Sequence, residues 1–417
     1  MINPFKSMKN NLQSDMPPGG PHAITRLQTS FDVRITYQRV AQHKFTSSSD
    51  WHYILMASSS TFCFIIIESP NLLIRSIVAL TLLLLMAMPI SGQFFFPLMA
   101  ILNWLILFYS PRFIPSAYRP QIFVRLSPAL ETILYGGNLS QASASNQSDV
   151  LDILAWIPYG LCHYGAPFVV SILLFVFAPP KTLPCFTFSF GFMNFFGVSI
   201  ELLAPNAPPW YQYIHGLDPA NYSMNGSAGG LARIDKLIGI NLYSGSFGAS
   251  PMVFGAFPSM HSGSAVMEAL FLSHVFPKLT PLFTFYVAWI WWSTMYLTHH
   301  YFIDLTAGAI IAFTVYYLVR ISWLPKTVPG KISRWSYDAV EIGYAGGPPK
   351  FRKSMEFDRN YIELPQINTS NSANTDTLFE EAHDLEYDID IDQEVRELIS
   401  NRTSSSDGDY QEPKLVR

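Results

Sequence analysis

The sequence predicts an all-α polytopic membrane protein, and three observations predict it. Apolar types make up 49 % of the 417 residues and charged types only 13 %. That is about half the roughly 25 % charge of an average soluble domain, too little to coat several globular surfaces. Eight apolar runs recur, near 53–67, 76–90, 94–109, 153–178, 183–203, 261–276, 281–299 and 302–324. Charge is also segregated. Residues 358–397 hold twelve acidic and two basic side chains, a net of −10, so a whole-chain charge of −4 leaves the remainder basic by six. Basic loops on one membrane face and an acidic tail fit that asymmetry. No basic cluster interleaved with aromatics points to nucleic acid.

Each element follows from where water can and cannot reach the backbone. A span needs about 20 apolar residues in a helix, because its polar groups must pair internally. Residues 1–50 are polar, with Lys6, Lys9, Arg26, Arg34, Arg39 and Lys44, and read as a cytoplasmic segment. The first apolar run starts near Ile54, too late for a cleavable signal. Residues 51–110 are expected to form N-terminal spans, with Pro89 and Pro97 placed to bend them. Residues 111–150 read as a loop or interfacial segment, and 151–325 as the membrane core. Residues 326–417 read as a cytoplasmic tail, acidic and mostly disordered.

Lys181, Lys278, Arg320, Lys326, Lys331 and Arg334 then share the N-terminal side, by the positive-inside rule. Residues 110–150, 204–260 and 298–301 fall on the far side, where Arg112, Arg119 and Arg125 depart mildly from the rule. Cys63, Cys162 and Cys185 lie within apolar runs and show no metal or disulfide spacing. They read as small hydrophobes.

Ionisable residues at membrane helix ends are functional candidates by default. Two clusters qualify. Phe257-Pro258-Ser259-Met260-His261-Ser262-Gly263 opens one helix, and Thr298-His299-His300-Tyr301-Phe302-Ile303-Asp304 joins two others. His300 and Asp304 are four apart, which on a helix puts both on one face. A carboxylate on one ring nitrogen fixes the tautomer and frees the other nitrogen to attack. A capping pair is the competing structural reading. His261 adds a second histidine on the same side, beside Ser259 at a helix start whose free N–H groups suit a phosphate. Together these groups form a phosphoryl-transfer set. Zinc is the competing functional reading, but a third His or Cys ligand and an HExxH pattern are missing, so no metal is expected. His299 has no carboxylate at i+4 and is expected to be structural or substrate-facing. His163, His215 and His274 show no comparable setting.

Pro258-Ser259-Met260-His261 resembles the Pro-Ser-Gly-His motif of the type 2 phosphatidic acid phosphatase (PAP2) superfamily. Ser293-Thr294, followed by His300 and Asp304, resembles its Ser-Arg-x5-His-x3-Asp motif. Further stretches are similar to the fungal inositol phosphorylceramide synthase catalytic subunits. These are Phe254–Ser259, Trp291–Tyr301, Ala207-Pro208-Pro209-Trp210-Tyr211 and Gly230–Lys236. The resemblance covers about residues 50–325. It implies a six-helix PAP2-like core within about eight transmembrane helices, a lumen-facing site in the Golgi membrane, a small regulatory membrane subunit and no metal. It implies that His300 is the nucleophile, that Asp304 supports it, and that His261 protonates the leaving oxygen and then activates the acceptor.

The motif arginine is Thr294 here, the motif glycine is Met260, and no clear Lys-x6-Arg-Pro motif is present. A site short of arginines favours a phosphodiester monoanion over a phosphomonoester dianion. The expected reaction is therefore transfer of phosphoinositol from phosphatidylinositol to the primary hydroxyl of ceramide. Ser259, Ser262, Gly263, Arg233 and Lys236 are the expected substrate contacts. The alternatives are a lipid phosphate phosphatase, a phosphocholine-transferring sphingolipid synthase and, from another class, a lipid transporter. Buried charges within spans would favour the transporter, and Glu201 and Glu268 are the main ones outside the His/Asp cluster.

Overall fold

The computed structural model describes residues 27–337. The expected acidic tail beyond them lies outside the described residues. Eight helices occupy the eight apolar runs. They are α2 (Ser47–Ile66), α3 (Leu72–Ala87), α4 (Pro89–Tyr109), α7–α8 (Asp149–Trp156 and His163–Phe177), α9 (Thr182–Leu203), α13 (Met260–Val275), α14 (Thr280–Tyr296) and α15 (Phe302–Ser322). Helices α7 and α8 form one rod, joined by a π-helical turn at Ile157–Cys162. A short α1 (Val33–Gln42) precedes the bundle.

Four of these helices are long and apolar enough to cross a membrane on length and composition alone: Pro89–Phe113, Asp149–Phe177, Thr182–Leu203 and Phe302–Ser322. The others are shorter or carry more polar residues. Helix α13 nevertheless runs the length of the bundle. It begins beside Asp304, and His274 near its other end sits 2.8 Å from the carbonyl of Pro325, beyond the far end of α15. Sixteen residues at about 1.5 Å each cover that distance.

Residues 110–148, 204–259 and 297–301 gather at one end of the bundle. Tyr222 donates to the carbonyl of Pro120 and Ser140 to that of Met295. The segment at 111–150, expected as a loop, contains α5 (Leu126–Tyr135) and α6 (Leu139–Ser143). The segment at 204–259 contains α10 (Pro209–His215), α11 (Leu231–Ile238) and α12 (Tyr243–Gly248). Three loop strips align without forming a sheet: Phe123 pairs with Asn206, and Asn206 with Gly255.

The core lies between α8, α9, α13 and α15, where Leu174, Phe186, Met193, Met267, Phe271 and Ala312 are buried. Large apolar side chains such as Leu80, Phe168, Ile172, Phe285 and Phe313 point outward, as expected of a lipid-facing belt. Among the cysteines only Cys63 is buried, while Cys162 and Cys185 are partly exposed; all three thiols are unpaired.

Helices α13 and α15 touch through glycine. A Cβ on Gly308 would overlap the carbonyl of Ser259, and Gly263 faces the same contact. Small residues let helix backbones approach where lipid supplies no hydrophobic drive between them. Gly308→Ala is expected to lower stability by about 1–3 kcal/mol, the cost of overpacking, seen as a reduced Tm in detergent. Gly165→Ala, where nothing lies within 4 Å of an added Cβ, should leave Tm unchanged.

Candidate active site

The start of α13 is capped by its own Ser259 and bound to the start of α15 by two polar contacts. Ser259 caps α13, its Oγ accepting from the Ser262 N–H at 3.3 Å. The Ser259 N–H donates to the Asp304 carbonyl at 2.9 Å, and Ser262 Oγ donates to the Leu305 carbonyl at 2.7 Å. His261 therefore leaves the second position of a fixed helix. The backbone N–H groups of Met260 and His261 have no backbone acceptor among the described residues, as the first turn of a helix requires.

Residues 297–301 form a tight turn. Thr298 has φ of +62°, an outlier for a β-branched residue. The turn is held from outside: Trp210 N–H donates to the Thr298 carbonyl and Gly230 N–H to that of Leu297, each at 2.9 Å. It sends the two histidines to different partners. His299 Nε2 lies 3.0 Å from the Ala228 carbonyl, and its ring packs on Phe247 and Tyr159. Burial, with His300 beside it, pushes its pKa down to about 3. His299 is thus a neutral structural donor.

His300 faces the other way. Its Nε2 is 3.1 Å from His261 Nδ1, and its Nδ1 is 3.0 Å from the carbonyl of Ala256. Asp304 Oδ2 is 3.8 Å from the same Nδ1, too long for a hydrogen bond but close enough to stabilise charge. The expected His300–Asp304 hydrogen bond on one helix face is thus replaced. His300 precedes α15, and the carbonyl of a neighbouring loop takes its proton. Nδ1 faces only a carbonyl and a carboxylate, so it carries the hydrogen. Nε2 keeps the lone pair and accepts from His261 Nδ1–H. The loop strips position that carbonyl, because Ala256 N–H donates to Asn206 and Ala207 N–H to Phe123.

Asp304 is fully buried. Its Oδ2 accepts from the Tyr301 N–H at 2.8 Å and its Oδ1 from Ser127 Oγ at 3.3 Å. Ser127 and the buried Glu131 come from α5. Glu131 accepts from the N–H groups of Phe302 and Leu139. Burial pushes the Glu131 carboxyl up, against the lowering effect of those two bonds. The sequence reading missed both residues, since neither sits near a motif. It also set aside His163. The π-helical turn brings Tyr159 and His163 against His261, with ring centroids 4.6 Å and 4.4 Å away. Such single turns are frequent at functional sites.

The expected substrate contacts are placed elsewhere. Ser259, Ser262 and Gly263 are buried in the α13–α15 contact, their polar groups spent on helix bonds. Arg233 forms a two-pronged ion pair with Asp152, to which Tyr296 also donates. It ties α11 to α7 and α14. Lys236 is exposed on α11. What does open beside His261 and His300 is a cavity of about 180 Å³, lined also by Glu201, Trp210, Ser227, Phe247 and Met260. Among the described residues no Lys or Arg lines it, and no cluster of three or more His, Cys, Asp or Glu has metal-holding geometry.

Comparison with known proteins gives this geometry a family. Residues 131–318 match the PAP2 superfamily model. The inositol phosphorylceramide synthase catalytic subunit of Saccharomyces cerevisiae is 47 % identical over 384 residues, 89 % of this chain and 94 % of the relative. The chain belongs to the inositol phosphorylceramide synthase family. The catalytic subunit of that name from Schizosaccharomyces pombe is 48 % identical over 76 % of this chain and 75 % of its own length. The synthase of Candida albicans is 42 % identical over 81 % and 71 %. No solved structure matches the chain.

Within this family the departures from the superfamily motifs have physical counterparts. Thr294, at the motif arginine, is fully buried and bonded to its own helix at Trp291. Met260, at the motif glycine, fills space that Gly197 leaves; a Cβ on Gly197 would overlap its thioether. Glu131→Gln is expected to cost about 1–3 kcal/mol, because one of two buried N–H groups loses its acceptor. Melting in detergent checks the stability. Turnover should fall too, since the affected bond fixes the helix that carries Asp304.

Proposed function

We propose that the protein transfers phosphoinositol from phosphatidylinositol to the primary hydroxyl of ceramide through a phospho-His300 intermediate. The observation that carries the reading is the 3.1 Å pairing of His300 Nε2 with His261 Nδ1 at the mouth of the cavity. The names of the relatives support the substrates.

The free lone pair on His300 Nε2 attacks phosphorus, and the bond to the diacylglycerol oxygen breaks. His261, protonated on both ring nitrogens, gives its Nδ1 proton to that departing oxygen and is left neutral. Reacting atoms need to come within about 3–3.5 Å in line. A phosphoryl group between the two rings therefore has to displace their direct contact. The new positive charge on the His300 ring is met by Asp304 at 3.8 Å and by the Ala256 carbonyl. The unpaired N–H groups of Met260 and His261 face the non-bridging oxygens. Ceramide hydroxyl then gives its proton to His261 and attacks phosphorus, releasing His300 and inositol phosphorylceramide. Catalysis of this kind rests on positioning and charge stabilisation. The lack of cations around the cavity suits a diester with one negative charge.

This reading places the protein in the Golgi membrane with the site facing the lumen. Lys181, Lys278 and Arg320 at the opposite end of the bundle support that orientation under the positive-inside rule. It also includes a small regulatory membrane subunit, in keeping with the words "catalytic subunit" in two relatives' names.

Four variants at matched membrane abundance, assayed with labelled phosphatidylinositol and ceramide, test the mechanism. His300→Ala should abolish turnover, and full activity would overturn it. His261→Ala should lose about 10²–10⁴-fold, the usual weight of general acid help. Asp304→Asn should preserve a cap for Tyr301 but lose the charge, lowering turnover by orders of magnitude; about 10⁴ follows loss of the orienting Asp in a serine protease. His299→Ala should mainly lower Tm and leave a measurable rate.

A further inference from the structure

Glu201 sits two residues from the end of α9 and is 6 % exposed. It lines the cavity beside His261 and His300. Its carboxylate has no hydrogen bond or ion pair with any described residue, although its neighbour Asp304 has every oxygen engaged. Room for it is kept by Gly255, where an added Cβ would stand 3.0 Å from Glu201 Oε2. A buried carboxylate without a partner is costly, so its position in a cavity calls for a ligand that donates hydrogen bonds.

Two hydroxyls complete the set. Ser227 Oγ accepts from the Gly229 N–H at 3.1 Å, and Ser250 Oγ accepts from the Met252 N–H at 3.3 Å. Each keeps its own O–H to donate, and both serines line the same cavity. The cavity thus offers a carboxyl group without a partner and two hydroxyl donors between the apolar walls of Trp210 and Phe247. A phosphodiester, which only accepts, would leave the accepting oxygen of the carboxyl group without a donor. A quaternary ammonium would suit the carboxylate and the aromatic rings, but it would leave both serine hydroxyls unused. A polyol ring uses all three, because each of its hydroxyls both donates and accepts. The volume, about 180 Å³, is below the roughly 300–1,000 Å³ of drug-sized pockets and suits a head group without its acyl chains.

We propose that Glu201, with Ser227 and Ser250, reads the ring hydroxyls of the donor lipid's head group and so sets its preference for inositol. The proposal rests on the transfer reaction above. It makes Glu201 a specificity residue that takes no part in the proton transfers at His261 and His300.

The test uses full-length protein in detergent–lipid micelles, with phosphatidylinositol and ceramide as substrates. Glycerophosphoinositol and glycerophosphocholine serve as competing inhibitors. Glu201→Gln is expected to lower kcat/KM for phosphatidylinositol about 2- to 10-fold, the net weight of a hydrogen bond. It should weaken inhibition by glycerophosphoinositol in the same proportion and leave glycerophosphocholine unaffected. Ser227→Ala and Ser250→Ala should act in the same direction by about 2- to 10-fold. They carry the test if Glu201→Gln does not fold. Equal weakening of both inhibitors would mean a structural role, and selective weakening of glycerophosphocholine would mean a cation site. Unchanged inhibition by glycerophosphoinositol would mean no contact, and each of these three results overturns the proposal. Failure of the underlying reading looks different: the unaltered protein would then form no inositol phosphorylceramide at all.

Discussion

The closeness of α13 to α15 is the constraint on which the site depends. Gly308 has no side chain, and the backbone of Ser259 occupies the space one would fill. Only at that separation do Ser259 and Ser262 reach the carbonyls of Asp304 and Leu305. Only there do two histidines, 39 positions apart, come within 3.1 Å. Lipid does not squeeze helices together as water does, so backbone contact and buried hydrogen bonds have to hold the approach. The polar residues at the helix starts are therefore structural before they are chemical, which explains why Ser259 and Ser262 are occupied.

Charge in the site is arranged by economy of groups. Asp304 both ends the turn, by accepting from Tyr301, and lies near enough to His300 to steady a cationic ring. Glu131 performs the same capping service from α5. Fixed cations are spent elsewhere, Arg233 on Asp152. In the proposed reaction the substrate's negative charge is left to peptide N–H groups and to a histidine that changes its protonation. Such a site would handle one negative charge with pre-aimed donors and avoid binding a dianion so tightly that it stalls.

Much of this was legible in the sequence, and the limits are physical. Hydropathy located all eight bundle helices, because burying a helix in lipid demands a long apolar run whatever its partners. The motif spacing singled out His261, His300 and Asp304. It suggested a direct His300–Asp304 bond, because four-residue spacing was read as one continuous helix. Tyr301, extended at ψ 158°, caps α15 and breaks that continuity, and His300 meets the Ala256 carbonyl instead. Peptide carbonyls leave no mark in a sequence. The π-helical turn leaves only a faint one, Pro158 and Gly160 inside an apolar run, and it brings Tyr159 and His163 onto His261. Ser127 and Glu131 lay in a stretch that reads as loop, since their helix is short and its partner is far along the chain. Arg233 and Lys236 are the last bases before the Pro258-Ser259-Met260-His261 motif, but a sequence does not show that Asp152 already neutralises the first and that the second is exposed.

Met260 and Gly197 share a single volume across the α9–α13 contact, and that ties their histories together. A lineage that shrank residue 260 to the superfamily's glycine would hollow the wall of the chamber until residue 197 grew to fill it. One that enlarged residue 197 first would have to move the Met260 thioether aside, since a Cβ there overlaps it. The two positions are therefore coupled: the side chain that one accommodates depends on the volume of the other.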